Sequence, residues 1–227
     1  EIRLSLVGSE MCIRDSGKSV QNRNLEGYII TPANGKYKKT LFIDFAIHGF
    51  EDDYARDGQR LTAIANHLIA HFASHPKELG NYRLVIVPCA NPDGAIGGKN
   101  AQRSGKNAFG RCTAAHIDIN RDFGPFKGKE TRALRDFILR SKPNVYINAH
   151  GWLNETLGTK KLCQIVNRTL HLNKMKDGVY AANEGYAIGW VHKKLNIPCC
   201  LLEYKAPNAL HTKDNVRMIR EIIKAYA

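Results

Sequence analysis

Along the chain, short runs of apolar residues alternate with stretches whose apolar positions recur at helical spacing. Leu41–Ile47 (LFIDFAI) is an apolar run of strand length that ends in His48-Gly49. Leu61, Ile64, Ala65, Leu68, Ile69 and Phe72 then fall at i, i+3, i+4, i+7, i+8 and i+11, the stripe of a helix laid against a core, and Pro76 follows as its stop. Tyr82–Val87 reads as the next strand, closed by the turn sequence Asn91-Pro92-Asp93-Gly94. Residues 95–116, rich in Gly and Lys, are expected to form an exposed loop. Glu130–Leu139 is a helix stopped near Pro143, and Val145–Ala149 a strand ending in His150-Gly151. Ile188–Leu195 is helical, Cys199–Glu203 is a strand, and Val216, Ile219, Ile222, Ile223 and Tyr226 line a last helix. This alternation predicts one α/β domain, with helices covering a largely parallel or mixed sheet. Ligands gather at the carboxyl ends of strands in such sheets, and three of these strands end in His48, His150 and Glu203.

Composition narrows the class. The chain has 227 residues, 43% of them hydrophobic, enough for a single large domain with a substantial core and too apolar for intrinsic disorder. No apolar run reaches the roughly 18–20 residues of a membrane span. The six cysteines form no C-x-x-C pair, and Cys199 and Cys200, adjacent in an apolar run, are expected as buried free thiols. A net charge of +13 attracts anionic polymers. The basic residues are dispersed, aromatics are only 8%, and no nucleic-acid motif occurs, so a nucleic-acid partner is not expected. The string from Ser5 to Asp15 resembles a translated sequencing adapter. Residues 1–16 are therefore expected to be non-native, which leaves 17–227 as the domain and the true N-terminus, with any leader, outside the sequence. Two Arg and three acidic residues lie in 1–16, so the charge without them is +14.

The candidate chemistry is concentrated in a few short stretches. His48-x-x-Glu51 places an imidazole and a carboxylate where a turn lets them converge, and His150 brings a second imidazole from another strand end. Two His and one carboxylate make a catalytic zinc set, with a fourth position open to water or substrate. In Ile117-Asp118-Ile119-Asn120-Arg121, an extended segment would point Asp118 and Asn120 to one face. Asp118 is then placed to accept the second N–H of a metal-binding imidazole, while Asn120 and Arg121 suit a carboxylate; a turn with an Arg salt bridge is the equal alternative.

His48-x-x-Glu51, Asn91-Pro-Asp-Gly94, Asp118-x-Asn120-Arg121, His150 and Glu203 occur in the order and approximate spacing of the zinc metallocarboxypeptidases, the carboxypeptidase A-like peptidases. Gly17-x-Ser19-x-x-x-Arg23 resembles the start of that catalytic domain, so the resemblance spans nearly all of 17–227. It implies a single domain with a mixed central sheet and helices on both faces. It further implies one Zn2+ held by His48, Glu51 and His150, with Asp118 behind them and Glu203 as the general base that activates a zinc-bound water. Arg111, nine residues before Asn120, matches the arginine that stabilises the oxyanion, with Arg103 as the alternative. Asn120 and Arg121 match the pair that holds the substrate's free carboxylate. Trp190, thirteen residues before Glu203, puts Ile188 near the floor of the side-chain pocket, although a core-packing role fits Ile188 equally. Tyr180 is the first choice for the family's mobile tyrosine and Tyr186 the second. Three positions depart from the pattern: His116 replaces a usual glycine, Asp122 an asparagine, and Gly189 an acidic or polar residue.

A domain of about 211 residues is much shorter than the digestive carboxypeptidases. It resembles the compact bacterial members that act on peptidoglycan stem peptides, the murein peptide amidases and γ-D-glutamyl-diaminopimelate peptidases. The implied substrate is a peptide or muropeptide, the implied setting bacterial and secreted or wall-associated rather than cytoplasmic, and an anionic cell-wall polymer is a further expected partner. A zinc-dependent deacylase of N-acyl amino acids and a non-catalytic wall-peptide-binding module share the fold and are the alternatives.

Overall fold

A computed structural model describes residues 2–6, 9–50, 57–97, 108–178, 185–205 and 211–227. Their centre is a nine-stranded mixed sheet in the order β1-β2-β3-β5-β4-β6-β9-β7-β8. The strands are β1 (Ile2–Leu6), β2 (Ser9–Lys18), β3 (Asn24–Ile30), β4 (Lys39–Phe45), β5 (Tyr82–Val87), β6 (Val145–Gly151), β7 (Glu155–Gly158), β8 (Lys174–Asp177) and β9 (Cys199–Tyr204). β5, β4, β6 and β9 run parallel, whereas β1–β3 and the β7–β8 pair flank them with antiparallel joints. Within β2, the stretch from Met11 to Lys18, most of which falls in the segment expected to be non-native, pairs along β3.

Strand periodicity distributes the core between the two faces. Leu41, Ile43 and Phe45 of β4 and Val145, Ile147 and Ala149 of β6 point to one side, beneath α1 (Asp57–Ser74), α4 (Lys160–Leu170) and α6 (Thr212–Ala225). Phe42 and Tyr146 point to the other, beneath α3 (Lys129–Ser141) and α5 (Ala187–Leu195). Helices therefore cover both faces, as expected. The central strands are buried on both sides, which is why they read as continuous apolar runs in the sequence. No helix among the described residues is long and apolar enough to cross a membrane. Cys89, Cys112, Cys163, Cys199 and Cys200 are free thiols, all but Cys89 buried.

Two expectations are corrected, and a third segment takes one of its two expected forms. The Asn91–Gly94 turn continues into a short helix, α2 (Pro92–Gly97), because Asn91 caps it by accepting the Gly94 N–H at 3.0 Å. The loop expected to be exposed over 95–116 is buried in its described second half at Cys112 and Thr113, where Thr113 N bonds Ile117 O at 3.0 Å. Residues 118–121 are not extended. Asp118 caps a 3-10 turn, Ile119–Arg121, by accepting the Asn120 N–H at 2.9 Å, since a short carboxylate bonds readily two residues ahead.

The Gly17–Arg23 motif and the Asn91–Gly94 motif meet. Asp93, wholly buried, accepts from Ser19 Oγ at 2.7 Å, Gln21 N at 2.9 Å and Arg23 Nη1 at 2.7 Å. This clamp fixes α2, whose first turn presses on the segment after His48. A Cβ on Gly49 would lie 2.2 Å from Ala95 N and 2.2 Å from the Gly94 carbonyl carbon. Both are backbone atoms, so they cannot swing aside. Gly49→Ala is expected to lower unfolding free energy by about 1–3 kcal/mol, measured by urea denaturation, as overpacking at an unyielding contact does.

Candidate active site

β4, β6 and β9 deliver the expected groups to one end of the sheet. The ladder of β4 ends at Phe45 because Ala46 adopts φ +52°, and the chain then turns to place His48 beside β6. His150 lies near the end of β6, and parallel register sets it directly opposite Glu203 of β9. The His48 and His150 rings are 5.1 Å apart between centroids, inclined at 65°, with 2% and 1% of their residue surface exposed. Glu203 is buried beside them.

Each imidazole is held through its Nε2. His48 Nε2 lies 2.9 Å from Asp118 Oδ1 and His150 Nε2 lies 2.6 Å from Asn148 Oδ1. Because both partners are acceptors, each Nε2 carries its proton and each Nδ1 the lone pair, which is the tautomer a metal ligand needs. Asp118 Oδ2 also accepts from Arg111 Nη2 at 3.4 Å. Burial alone would push the Asp118 carboxyl up. The hydrogen bond from His48, with the Arg111 and Arg121 cations, overcomes it and holds the group below the usual carboxylate range. Behind Asn148 stands Asp44, wholly buried, whose Oδ1 accepts from Asn148 Nδ2 at 2.5 Å. Burial drives the Asp44 carboxyl up to about 7 against the hydrogen bond of Asn148.

This donor set fits zinc: two buried imidazoles in the ligand tautomer, close together and next to a carboxylate. Glu51, the expected third ligand, lies outside the described residues, as do Tyr180 and the alternative Arg103. Among the described residues no three metal-ligating side chains converge.

Asn120 and Arg121 are brought to the same region. Asn120 Oδ1 accepts from Ala187 N at 2.9 Å, tying the 3-10 turn to the start of α5 and leaving its amide N–H groups as the donors for a ligand. The Arg121 guanidinium stacks 4.1 Å from the centroid of the Tyr186 ring. Gly185, at φ +85°, allows this approach, since a Cβ there would lie 2.1 Å from Arg121 O. Ile188 is fully buried in the core beneath α5, and Trp190 packs against Phe123 and Phe126. The departures at His116 and Asp122 have structural accounts. His116 occupies the left-handed region at φ +58°, where glycine is the easier residue. Asp122 accepts from Lys127 N at 2.9 Å and Gly128 N at 2.8 Å, and so anchors the start of α3. A separate cavity of about 690 Å3 between α1 and α6, lined by residues such as His67, His71, Lys213 and Arg217, contains none of the candidate groups.

A family model described as zinc carboxypeptidase matches residues 9–157. The chain belongs to the zinc carboxypeptidase family. Bacteriocin BCN5 of Clostridium perfringens is 31% identical over an alignment of 232 positions that takes in 92% of this zinc carboxypeptidase and 24% of the bacteriocin. The chain thus spans about a quarter of that relative. Among solved structures, bovine thrombin-activatable fibrinolysis inhibitor, in complex with tick carboxypeptidase inhibitor, is 15% identical at a TM-score of 0.73, covering 95% of this chain and 90% of that one. The murein-tripeptide amidase MpaA of Escherichia coli O157 is 17% identical at 0.67, covering 93% and 91%. A metallo-carboxypeptidase of Burkholderia cenocepacia is 15% identical at 0.70, covering 96% and 65%. At these identities the structures establish a shared fold. The family is zinc-dependent.

Two residues that hold the site, Asn148 and Asp44, were not among the sequence candidates. Their signal was available: each interrupts an otherwise apolar strand, and in β6 Asn148 shares the face of His150 at a spacing of two. For Asp118, Asp118→Ala is expected to weaken zinc binding by about 10–100-fold, as loss of an imidazole's carboxylate partner does. Competition against a chelating dye measures it.

Proposed function

We propose that this chain hydrolyses a peptide bond near a free C-terminal carboxylate in peptidoglycan stem peptides. The observation that carries the catalytic part is the pairing of His48 and His150, both in the ligand tautomer, with Glu203 in register beside His150. His48, Glu51 and His150 would hold one zinc, which when bound acidifies water and polarises a carbonyl. Glu203 takes the proton of the attacking water and hands it to the leaving amine. Arg111, anchored through Asp118 to the same cluster as His48, stabilises the negative charge that develops on the carbonyl oxygen. Asn120 and Arg121 bind the substrate's carboxylate, the amide by its N–H groups and the guanidinium by its planar fork, with Tyr186 buttressing the latter. Placing a fixed cation one side of the reacting centre selects substrates whose chain ends just beyond the scissile bond. Tyr180 takes the family's mobile position and Ile188 closes the side-chain pocket from the core side.

Two relatives favour the wall peptide over a dietary one. One solved structure of this fold is named a murein-tripeptide amidase, and the curated relative is named a bacteriocin. The surface charge suits an anionic polymer, and a secreted or wall-associated setting follows from such a substrate. The catalytic unit in this reading is 17–227.

Mass spectrometry of a defined muropeptide panel tests the substrate. Stem peptides with a free carboxylate are expected to be cut, and a chelator is expected to stop the reaction. Cleavage of N-acyl aspartate with no effect on any stem peptide would instead assign a deacylase. Glu203→Gln is expected to keep its zinc and lose about 10²–10⁴-fold in turnover, the usual contribution of a general base. Full activity in Glu203→Gln would overturn the mechanism. A chain starting at Gly17 is expected to retain the zinc affinity and turnover of the whole, compared side by side.

A further inference from the structure

The two imidazoles are supported unequally. His48 reaches a carboxylate directly, while His150 reaches one through an amide: Asp44 Oδ1 accepts from Asn148 Nδ2 at 2.5 Å, and Asn148 Oδ1 accepts from His150 Nε2 at 2.6 Å. Asp44 and Asn148 are cross-strand partners in the β4–β6 ladder, and His150 follows Asn148 on the same face. Both residues are 0% exposed and His150 is 1% exposed. Their layer is otherwise apolar, filled by Phe42, Tyr146, Cys199 and Leu201. Two apolar side chains would pack there without the cost of burying an amide and a carboxyl. The polar pair is therefore retained against the packing preference of its surroundings, and the hydrogen bonds lead to His150.

We propose that Asp44 is a positioning residue for the candidate metal site, acting through Asn148 to fix the tautomer and ring orientation of His150. An asparagine amide is ambiguous, because rotation by half a turn exchanges its oxygen and its NH2. If Asn148 presented Nδ2 to His150, Nε2 would have to accept and Nδ1 would carry the proton, which removes the lone pair from the metal side. Asp44 abolishes the ambiguity. Its Oδ1 accepts from Nδ2 and so turns Oδ1 of Asn148 towards His150. The wider consequence is electrostatic. A neutral amide stands between His150 and the buried carboxyl, so one imidazole is polarised by an adjacent carboxylate and the other only through the amide.

The inference rests on the reading of His150 as a metal ligand, and the experiments separate the two. Zinc affinity of the full chain is measured by chelator competition for the parent, His150→Ala, Asn148→Leu, Asp44→Leu and Asp44→Asn. Long-range 1H–15N correlation of the metal-free parent reports the His150 tautomer. The expected tautomer is Nε2–H. Asn148→Leu, similar in volume and without an acceptor, is expected to lose about 10–100-fold in zinc affinity, the cost of removing such a support. Asp44→Leu is expected to weaken binding and to populate the Nδ1–H tautomer. Asp44→Asn, whose side-chain oxygen can still accept from Asn148, is expected to keep most of the affinity and the parent tautomer, and the change of tautomer in Asp44→Leu is the readout that a role in packing alone would not move. Parent-like affinity and tautomer in Asp44→Leu, or an Nδ1–H tautomer in the parent, would overturn the relay. The parent spectrum needs no substitution, so it decides the matter even if the leucine variants do not fold. Undiminished zinc binding in His150→Ala would overturn the ligand reading itself.

Discussion

Parallel pairing of β6 between β4 and β9 is the constraint on which the site depends. A parallel ladder aligns strand ends, so one register decides which side chains stand together at the carboxyl edge. With His150 opposite Glu203 and Asp44 opposite Asn148, the strand period of two collects Asp44, Asn148, His150 and Glu203 on a single face. A slip of one residue in β6 would turn His150 into the layer beneath α1, α4 and α6, and bring Ala149 to the site. The apolar residues on both faces of β6 resist that slip, because each is shaped to its own layer. The chemistry is thus held in place by packing that has no chemical role.

Loops supply what the strands cannot, and each is tied down by buried polar groups. The segment after β4 is pressed against α2, which the Ser19–Arg23 segment clamps through Asp93. The 118–121 turn is fastened on three sides, by Asp118 to His48, by Asn120 to Ala187 and by Asp122 to the start of α3. Asp118 is the common member. One carboxylate caps the turn, orients an imidazole and anchors Arg111, so His48 and Arg111 share a single reference point.

Most of this was legible in the sequence where a residue's neighbours along the chain decide its state. The doubly buried strands announced themselves as apolar runs, and their polar termini gave His48, His150 and Glu203. β3, β7, β8 and α4 did not stand out, because β8 is exposed throughout and β3 alternates only weakly, so burial leaves little pattern in them. The 118–121 segment stayed ambiguous because alternating polarity is shared by a strand and by a turn whose side chains cap their own backbone. Asn148 and Asp44 escaped for a different reason. Their partnership spans 104 residues and exists only once β4 and β6 are in register.

Sign of charge separates the interior from the exterior. Among the described residues the buried ionisable side chains include Asp44, Asp93, Asp118, Asp122, Glu130, Glu155 and Glu203, and no lysine or arginine is among them. The described lysines and arginines consequently lie nearer the solvent, where salt screens their field within about 10 Å. Inside, the carboxylates act at low dielectric and over short distances, where the nearest groups dominate. A strongly basic protein can therefore favour a divalent cation at its centre while attracting an anionic polymer to its surface. The two preferences do not compete, because the screening that confines the outer field hardly reaches the inner one. Charge balance over the whole chain, the first feature a composition reports, is for this reason silent about the site, and the placement of two imidazoles at strand ends is not.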